Sequence, residues 1–232
     1  MSRMSRGSRA RAGAVVLLAI ALATGGCKNL FLPSAPEPPA AAGSIVSVDI
    51  DFTSTEGLLS TISEAVAAKA QGNGFRAYMA AFADTTTQGL GLRIDLDPDV
   101  VRERSDANVR PPAVWSRQYE ADFYNYVSTL NPGEYDLSFE PDPSNPDVHD
   151  TSDHAILHRT YVLTATDANG DPTQLATGNV ELELRQLAGA STNWVIVRWT
   201  DSILSPGIGP NPADPGQYCL SRLRIDSYFR LH

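Results

Sequence analysis

The apolar positions of this chain form one unbroken block and then a series of periodic segments. Ala14 to Ala23 (Ala-Val-Val-Leu-Leu-Ala-Ile-Ala-Leu-Ala) has no polar position at all. Beyond it, Ser44 to Phe52 alternates (Ile45, Val46, Val48, Ile50, Phe52) and predicts a short strand or an extended lead-in. Thr53 stands three residues before Glu56, the spacing of a capping box at a helix start. Leu58, Leu59, Ile62 and Val66 then share one helical face. Gly72-Asn73-Gly74 breaks that helix, and Phe75, Tyr78, Met79 and Phe82 recur at the spacing of a second.

Gly91 to Asp97 alternates again, with Leu92, Ile94 and Leu96 on one side of a strand. A third helix is expected from about Pro112 to Leu130, carrying the stripe Trp115, Tyr119, Phe123, Tyr126 and Leu130 and ending at Asn131-Pro132-Gly133. The remainder reads as strands: Tyr135/Leu137/Phe139, Tyr161/Leu163/Ala165, Val180/Leu182/Leu184, Trp194 to Trp199, and a last one over Leu223 to Phe229. A Pro/Gly-rich loop, Ser205 to Gly216, separates the final two. Helices first and antiparallel strands afterwards predicts an α+β fold, with N-terminal helices packed on one face of a strongly curved antiparallel sheet.

The continuous apolar block has a different meaning. Arg3, Arg6, Arg9 and Arg11 precede it, and no acidic residue occurs before Glu37. A basic segment followed by about ten apolar residues is the layout of a secretory signal, and the block is too short to span a bilayer, which takes roughly 20. Residues 1–26 are therefore expected to be a signal peptide. Residues 27–46, rich in Pro and Ala, form a semi-extended tether, and 47–232 form the folded domain.

Charge narrows the partners. The chain has 18 basic and 27 acidic residues, a net charge of −9. Without the four signal arginines, 14 basic residues face the same 27 acidic ones, for a net charge of −13. Such a surface repels phosphate backbones, so nucleic acid is excluded as a partner. The two cysteines are Cys27 and Cys219. If Cys27 is modified, no disulfide within the chain remains, and a single thiol at Cys219 reads as a small buried hydrophobe rather than a nucleophile.

Ala23-Thr24-Gly25-Gly26-Cys27 resembles the lipobox of bacterial lipoproteins, with Thr24 where that motif usually carries Leu, Val or Ile. The resemblance implies a diacylglyceryl group on Cys27, a membrane partner through that lipid, and a place in the bacterial cell envelope outside the cytoplasm. The helix pair from Glu56 to Phe82, the aromatic helix Trp115 to Leu130 and the strand Trp194-Val195-Ile196-Val197-Arg198-Trp199-Thr200-Asp201 resemble the nuclear transport factor 2-like superfamily, also called cystatin-like or SnoaL-like. That resemblance implies a cone of helices on a bent sheet with an internal pocket. Trp115, Tyr119, Asp122, Tyr126 and His158 are its candidate lining. Some members are isomerases or dehydratases that use a pocket Asp with Tyr or His, so an exported enzyme of this type is the alternative to a non-catalytic domain. The non-catalytic domain, binding a small apolar ligand or an envelope protein, is the leading expectation, because no Gly-rich phosphate loop, Gly-x-Ser-x-Gly elbow or Cys-x-x-Cys pair occurs.

Two other clusters bear on chemistry. His149, His154 and His158 lie among Asp147, Asp150 and Asp153, and imidazole with carboxylate is a zinc-type ligand set. Their spacing matches no short metal motif, and a solvated acidic loop running into a strand accounts for them, so neither a metal nor another cofactor is expected. Asp167-Ala168-Asn169-Gly170-Asp171 has the opening of a calcium loop, yet its twelfth position is Gly178 rather than Glu, which favours a hairpin turn. Asp95, Asp97 and Asp99 flank a strand end and are expected to be solvated.

Overall fold

The computed structural model describes residues 47–69, 71–104, 110–131, 133–167, 169–188, 192–204 and 219–231. Residues 1–46, with the expected signal peptide, Cys27 and the tether, and the whole Pro/Gly-rich loop lie outside them. Residues 47–52 run without regular structure, as an extended lead-in. Helix α1 (Thr55–Ala68) starts one residue later than the capping-box spacing places it: Ser54 is the N-cap, its Oγ accepting the Gly57 N–H at 2.9 Å. Glu56 is thereby released from capping and accepts a hydrogen bond from Arg159 Nη2 at 2.8 Å. Helix α2 (Gly74–Ala80) and the single turn α3 (Thr85–Gln88) follow, then strand β1 (Arg93–Asp95) and helix α4 (Pro98–Arg104).

Helix α5 (Arg117–Leu130) begins after the Pro111-Pro112 pair, with Ser116 Oγ accepting the Tyr119 N–H as its cap. Trp115 is therefore not helical, contrary to expectation, and sits in an isolated bridge with Ile94. Strands β2 (Tyr135–Pro141), β3 (Val148–Thr151), β4 (His154–Thr166), β5 (Pro172–Gln186) and β6 (Trp194–Ser202) complete the sheet. Its order is β1-β6-β5-β4-β2, with β3 paired to β4. Between β4 and β5, Asp167 Oδ1 accepts the Asn169 and Asp171 N–H groups and Gly170 adopts φ +87°, so this segment is the hairpin turn the sequence favours.

The fold is α+β, with helices packed on a curved sheet, as expected. The sheet is mixed rather than wholly antiparallel, because β1 lies parallel to β6. Register shifts at Leu163/Thr164 and Glu183/Leu184 break the ladder in the two long strands, and such bulges bend and twist a sheet. Alternation along β4 sends Ala155, Leu157, Arg159, Tyr161, Leu163 and Ala165 inward. With the inner residues of β2, β5 and β6, most of these merge with α1, α2, α5 and the last helix into one hydrophobic core.

That last helix, α6 (Leu220–Leu231), is the main correction: Leu223 to Phe229 is not a strand. Leu223, Ile225 and Phe229 alternate only by coincidence. The buried positions are Leu220, Ser221, Leu223, Arg224, Ile225 and Ser227, a helical pattern masked by an arginine and two serines on the core side. Among the described residues no helix is long and apolar enough to cross a membrane.

Gly178 illustrates how tightly β5 approaches its neighbours. A Cβ there would lie 2.5 Å from Tyr161 Oη and 2.7 Å from the Ser202 carbonyl oxygen. Gly178→Ala is expected to destabilise the domain by about 1–3 kcal/mol through overpacking. Gly91→Ala, whose Cβ meets only Thr85 Cγ2 at an ordinary 3.6 Å, is expected to stay within about 0.5 kcal/mol. Urea unfolding of the two variants side by side checks both.

Candidate functional site

A cavity of ≈ 20 Å³ lies between the helices and the inner face of the sheet, enough for about one water-sized occupant. Its aliphatic wall is Ile62 and Val66 of α1, Val127 of α5, Leu137 of β2, Leu163 of β4 and Leu220 of α6. Its aromatic wall is Tyr78, Phe123, Tyr124, Tyr135 and Trp199. Ser128 completes the lining, and its Oγ donates to the Tyr124 carbonyl at 2.9 Å.

The phenols on this wall are turned to protein acceptors. Tyr78 donates to Glu120 Oε1 at 2.6 Å, and Tyr135 donates to the Val127 carbonyl at 2.7 Å. Tyr124 donates to the Ala65 carbonyl at 2.7 Å, with the Lys69 carbonyl also in contact. Burial holds the Tyr124 and Tyr135 hydroxyls above the ordinary phenol value, and burial with the Glu120 charge does the same to Tyr78. None is poised to lose a proton at neutral pH.

Behind the aromatic wall lies a fully buried ion pair. Glu120 of α5 and Arg224 of α6 are both 0 % exposed. Arg224 Nε donates to Glu120 Oε2 at 2.9 Å and Nη2 to Oε1 at 2.8 Å, the two-pronged geometry that makes such pairs strong. Trp115 Nε1 adds a third donor at 2.9 Å from Oε2, and Tyr78 a fourth. Burial works against the Arg224 charge, but the Glu120 carboxylate outweighs it and holds the guanidinium above its ordinary value. The guanidinium carbon stands 5.0 Å from the Phe123 ring centre and 4.8 Å from that of Trp199, at cation–π distance. Two donors here lack an acceptor: Arg224 Nη1 and Trp199 Nε1 are buried and unpaired. Leaving a buried donor unsatisfied costs roughly 1–3 kcal/mol, more for a charged group.

A second buried carboxylate, Asp201 of β6, works at the start of α6. Its Oδ2 accepts the Ser221 N–H, and its Oδ1 accepts the Tyr161 hydroxyl at 2.7 Å. Tyr161 in turn accepts the Leu220 N–H at 2.8 Å. The first amides of a helix have no partner within it and carry its positive end, so a carboxylate there caps the helix from a distant strand. Burial nevertheless raises the Asp201 carboxyl, only partly offset by Arg224, Ser221 and Tyr161. Asp97 is buried as well rather than solvated, accepting the Val100 and Ile203 N–H groups. Asp95 pairs with Arg93 and Arg198. Cys219, beside this network, is 1 % exposed, and burial with the Asp201 charge pushes its thiol up to about 12.

The residues expected to line a pocket are not brought together. Trp115 is buried and bound to Glu120, behind the cavity wall. Tyr119 stacks on Trp115 and Tyr228, Asp122 accepts from Gln118, and Arg230 lies over Tyr126, so these three belong to other faces of α5. His158 points to the outer face of the sheet, where Nε2 is 3.4 Å from Glu181 Oε2. His154 sits between Asp150 at 2.5 Å and Glu183 at 3.2 Å, and His149 is exposed on β3. His154 and His158 are four residues apart along one strand, about 13 Å, too far to share an ion. Among the described residues no group of three His, Cys, Asp or Glu is placed to hold a metal.

Sequence reading missed Glu120 and Arg224, although a signal for one was present. Glu120, Phe123, Tyr124 and Val127 are the buried positions of α5 and follow a helical repeat. The stripe Tyr119, Phe123, Tyr126 and Leu130 is rotated from that face, because the carboxylate of Glu120 interrupts the apolar repeat of the truly buried one.

Two outcomes follow. Glu120→Gln leaves a charged guanidinium buried without its partner and is expected to destabilise by about 3–5 kcal/mol, while Glu120→Leu combined with Arg224→Met recovers most of that loss; chemical denaturation of single and double variants reads the difference. With Cys27 replaced by Ser, a thiol reagent at about pH 8 is expected to leave the folded protein unlabelled and to label Cys219 once denaturant is added.

No protein-family model matches the chain, and no curated protein matches it. Solved structures do. A nuclear transport factor 2-like protein with a cystatin-like fold from Novosphingobium aromaticivorans is 10% identical, over 65% of this chain and 80% of that one, with a TM-score of 0.45. A ketosteroid isomerase-like protein from Erwinia carotovora atroseptica is 20% identical, over 67% of this chain and 97% of that one, with a TM-score of 0.41. A protein of unknown function from Mycobacterium tuberculosis is 15% identical, over 76% of this chain and 92% of that one, with a TM-score of 0.43.

Proposed function

We propose that this chain is a bacterial envelope lipoprotein, anchored through a lipid on Cys27, whose domain is a non-catalytic binder of a small apolar ligand. The observation that carries the binding reading is the cavity. Its lining is aliphatic and aromatic, and its phenols are bonded to protein acceptors, so it offers apolar contact without a poised acid or base. A ligand larger than water enters only if lining side chains move apart, which favours flexible or small apolar molecules.

The isomerase or dehydratase alternative calls for a carboxylate in the cavity beside Tyr or His. Asp201 has the phenol of Tyr161 as neighbour, but its oxygens are held by that hydroxyl and the Ser221 amide, and it is not among the lining residues. Asp122 is turned to Gln118. Ligand binding is the better account.

The anchor rests on the order of basic segment, apolar block, small residues and Cys27. Two or more acyl chains are what stable membrane attachment takes. Expressed in an exporting bacterial host, the full chain is expected in the membrane fraction with an N-terminal Cys27 bearing acyl mass. Cys27→Ser is expected to stay unprocessed or be released. Normal maturation and membrane retention of that variant overturns the anchor.

A further inference from the structure

An unpaired donor on the cavity wall defines what the ligand carries. Trp199 is part of the cavity wall, and its indole N–H is buried and unpaired. The Arg224 guanidinium stacks 4.8 Å from that same ring and 5.0 Å from Phe123, another wall residue, and its Nη1 is also buried and unpaired. The indole N–H is therefore the donor that the cavity wall leaves without an acceptor, while the guanidinium lies behind the rings. Buried donors are nearly always satisfied, by protein, water or ligand.

Charge selects among acceptors. Glu120 already meets the Arg224 cation through two hydrogen bonds, so the pair is neutral as it stands. A bound carboxylate or phosphate would find no charged side chain among the lining residues and would bring a second negative charge toward Glu120, an expensive arrangement in an apolar interior. A neutral oxygen acceptor accepts the spare indole N–H without that penalty. Resting on the ligand-binding reading above, we infer that the cavity takes a small, uncharged, apolar molecule bearing a carbonyl-type oxygen, which accepts from Trp199 Nε1.

The test compares three probes of one shape on the full chain in detergent: cyclopentanone, cyclopentane and cyclopentanecarboxylate. Binding is followed by titration while nitrogen-15-labelled indole N–H signals are recorded. Trp199→Phe assigns its own signal by deletion while keeping an aromatic wall. The expected result is that cyclopentanone binds at least about tenfold tighter than either other probe, moves the Trp199 indole signal, and loses that advantage in Trp199→Phe. The comparison of probes on the unaltered protein stands even if that variant does not fold. Equal binding of ketone and hydrocarbon overturns the acceptor assignment, leaves the cavity as a ligand site, and gives the indole donor to water. Tightest binding of the carboxylate overturns the requirement for a neutral ligand. Binding of none of the three overturns both this inference and the ligand-binding reading.

Discussion

The salt bridge between Glu120 and Arg224 is the constraint around which the domain is arranged. It ties the middle of α5 to the middle of α6 with neither group touching solvent. Tyr78 brings α2 to the same carboxylate, Trp115 brings the segment before α5, and Trp199 of β6 covers the guanidinium. Five separate parts of the chain thus meet at one ion pair. Replacing such a pair by apolar residues is often neutral or stabilising, whereas breaking it is costly. The pair therefore acts less as a source of stability than as a condition on geometry. Only one placement of α5 against α6 satisfies both charges.

The placement of α6 is set a second time at its N-terminus. Asp201 of β6 and Tyr161 of β4, two strands with β5 between them, receive the first amides of the helix, and Ser221 Oγ accepts the Asp97 N–H from the chain between β1 and α4. A helix fixed at its start by strand side chains and at its centre by a buried charge cannot slide along its axis. The cavity wall that Leu220 and Trp199 share is held to the same standard.

Polar groups at the rim behave differently. Arg159 is buried yet reaches Asp147 at 2.6 Å and Glu56 at 2.8 Å, both partly open to solvent. It joins α1 to the loop before β3. The Asp147 carboxyl is held below the ordinary value because the Arg159 and His158 donors outweigh the opposing effect of burial. His154 likewise fastens the β3 end to β5 through Asp150 and Glu183. The histidine-rich acidic segment is accounted for by these contacts, which close a hairpin.

By itself the sequence determined whatever depends on neighbours along the chain. The block Ala14–Ala23 with its arginines and Cys27 is readable without any fold, and the proposed export and anchoring rest on it alone. Alternation placed β2, β4, β5 and β6, a 3.6-residue repeat placed α1 and α2, and Asn169-Gly170 placed a hairpin, because each depends on the local backbone period. What tertiary structure alone decided is where charge enters the core. Glu120 and Arg224 lie on the buried faces of α5 and α6, so each helix has an apparent apolar period that is wrong by rotation or, for α6, by type. A buried charge is tolerable only when its partner arrives, and here the partner is about a hundred residues away in the chain. No local pattern records such a distant event, so the pair, the helix it specifies and the unused indole donor on the cavity wall became legible only in three dimensions.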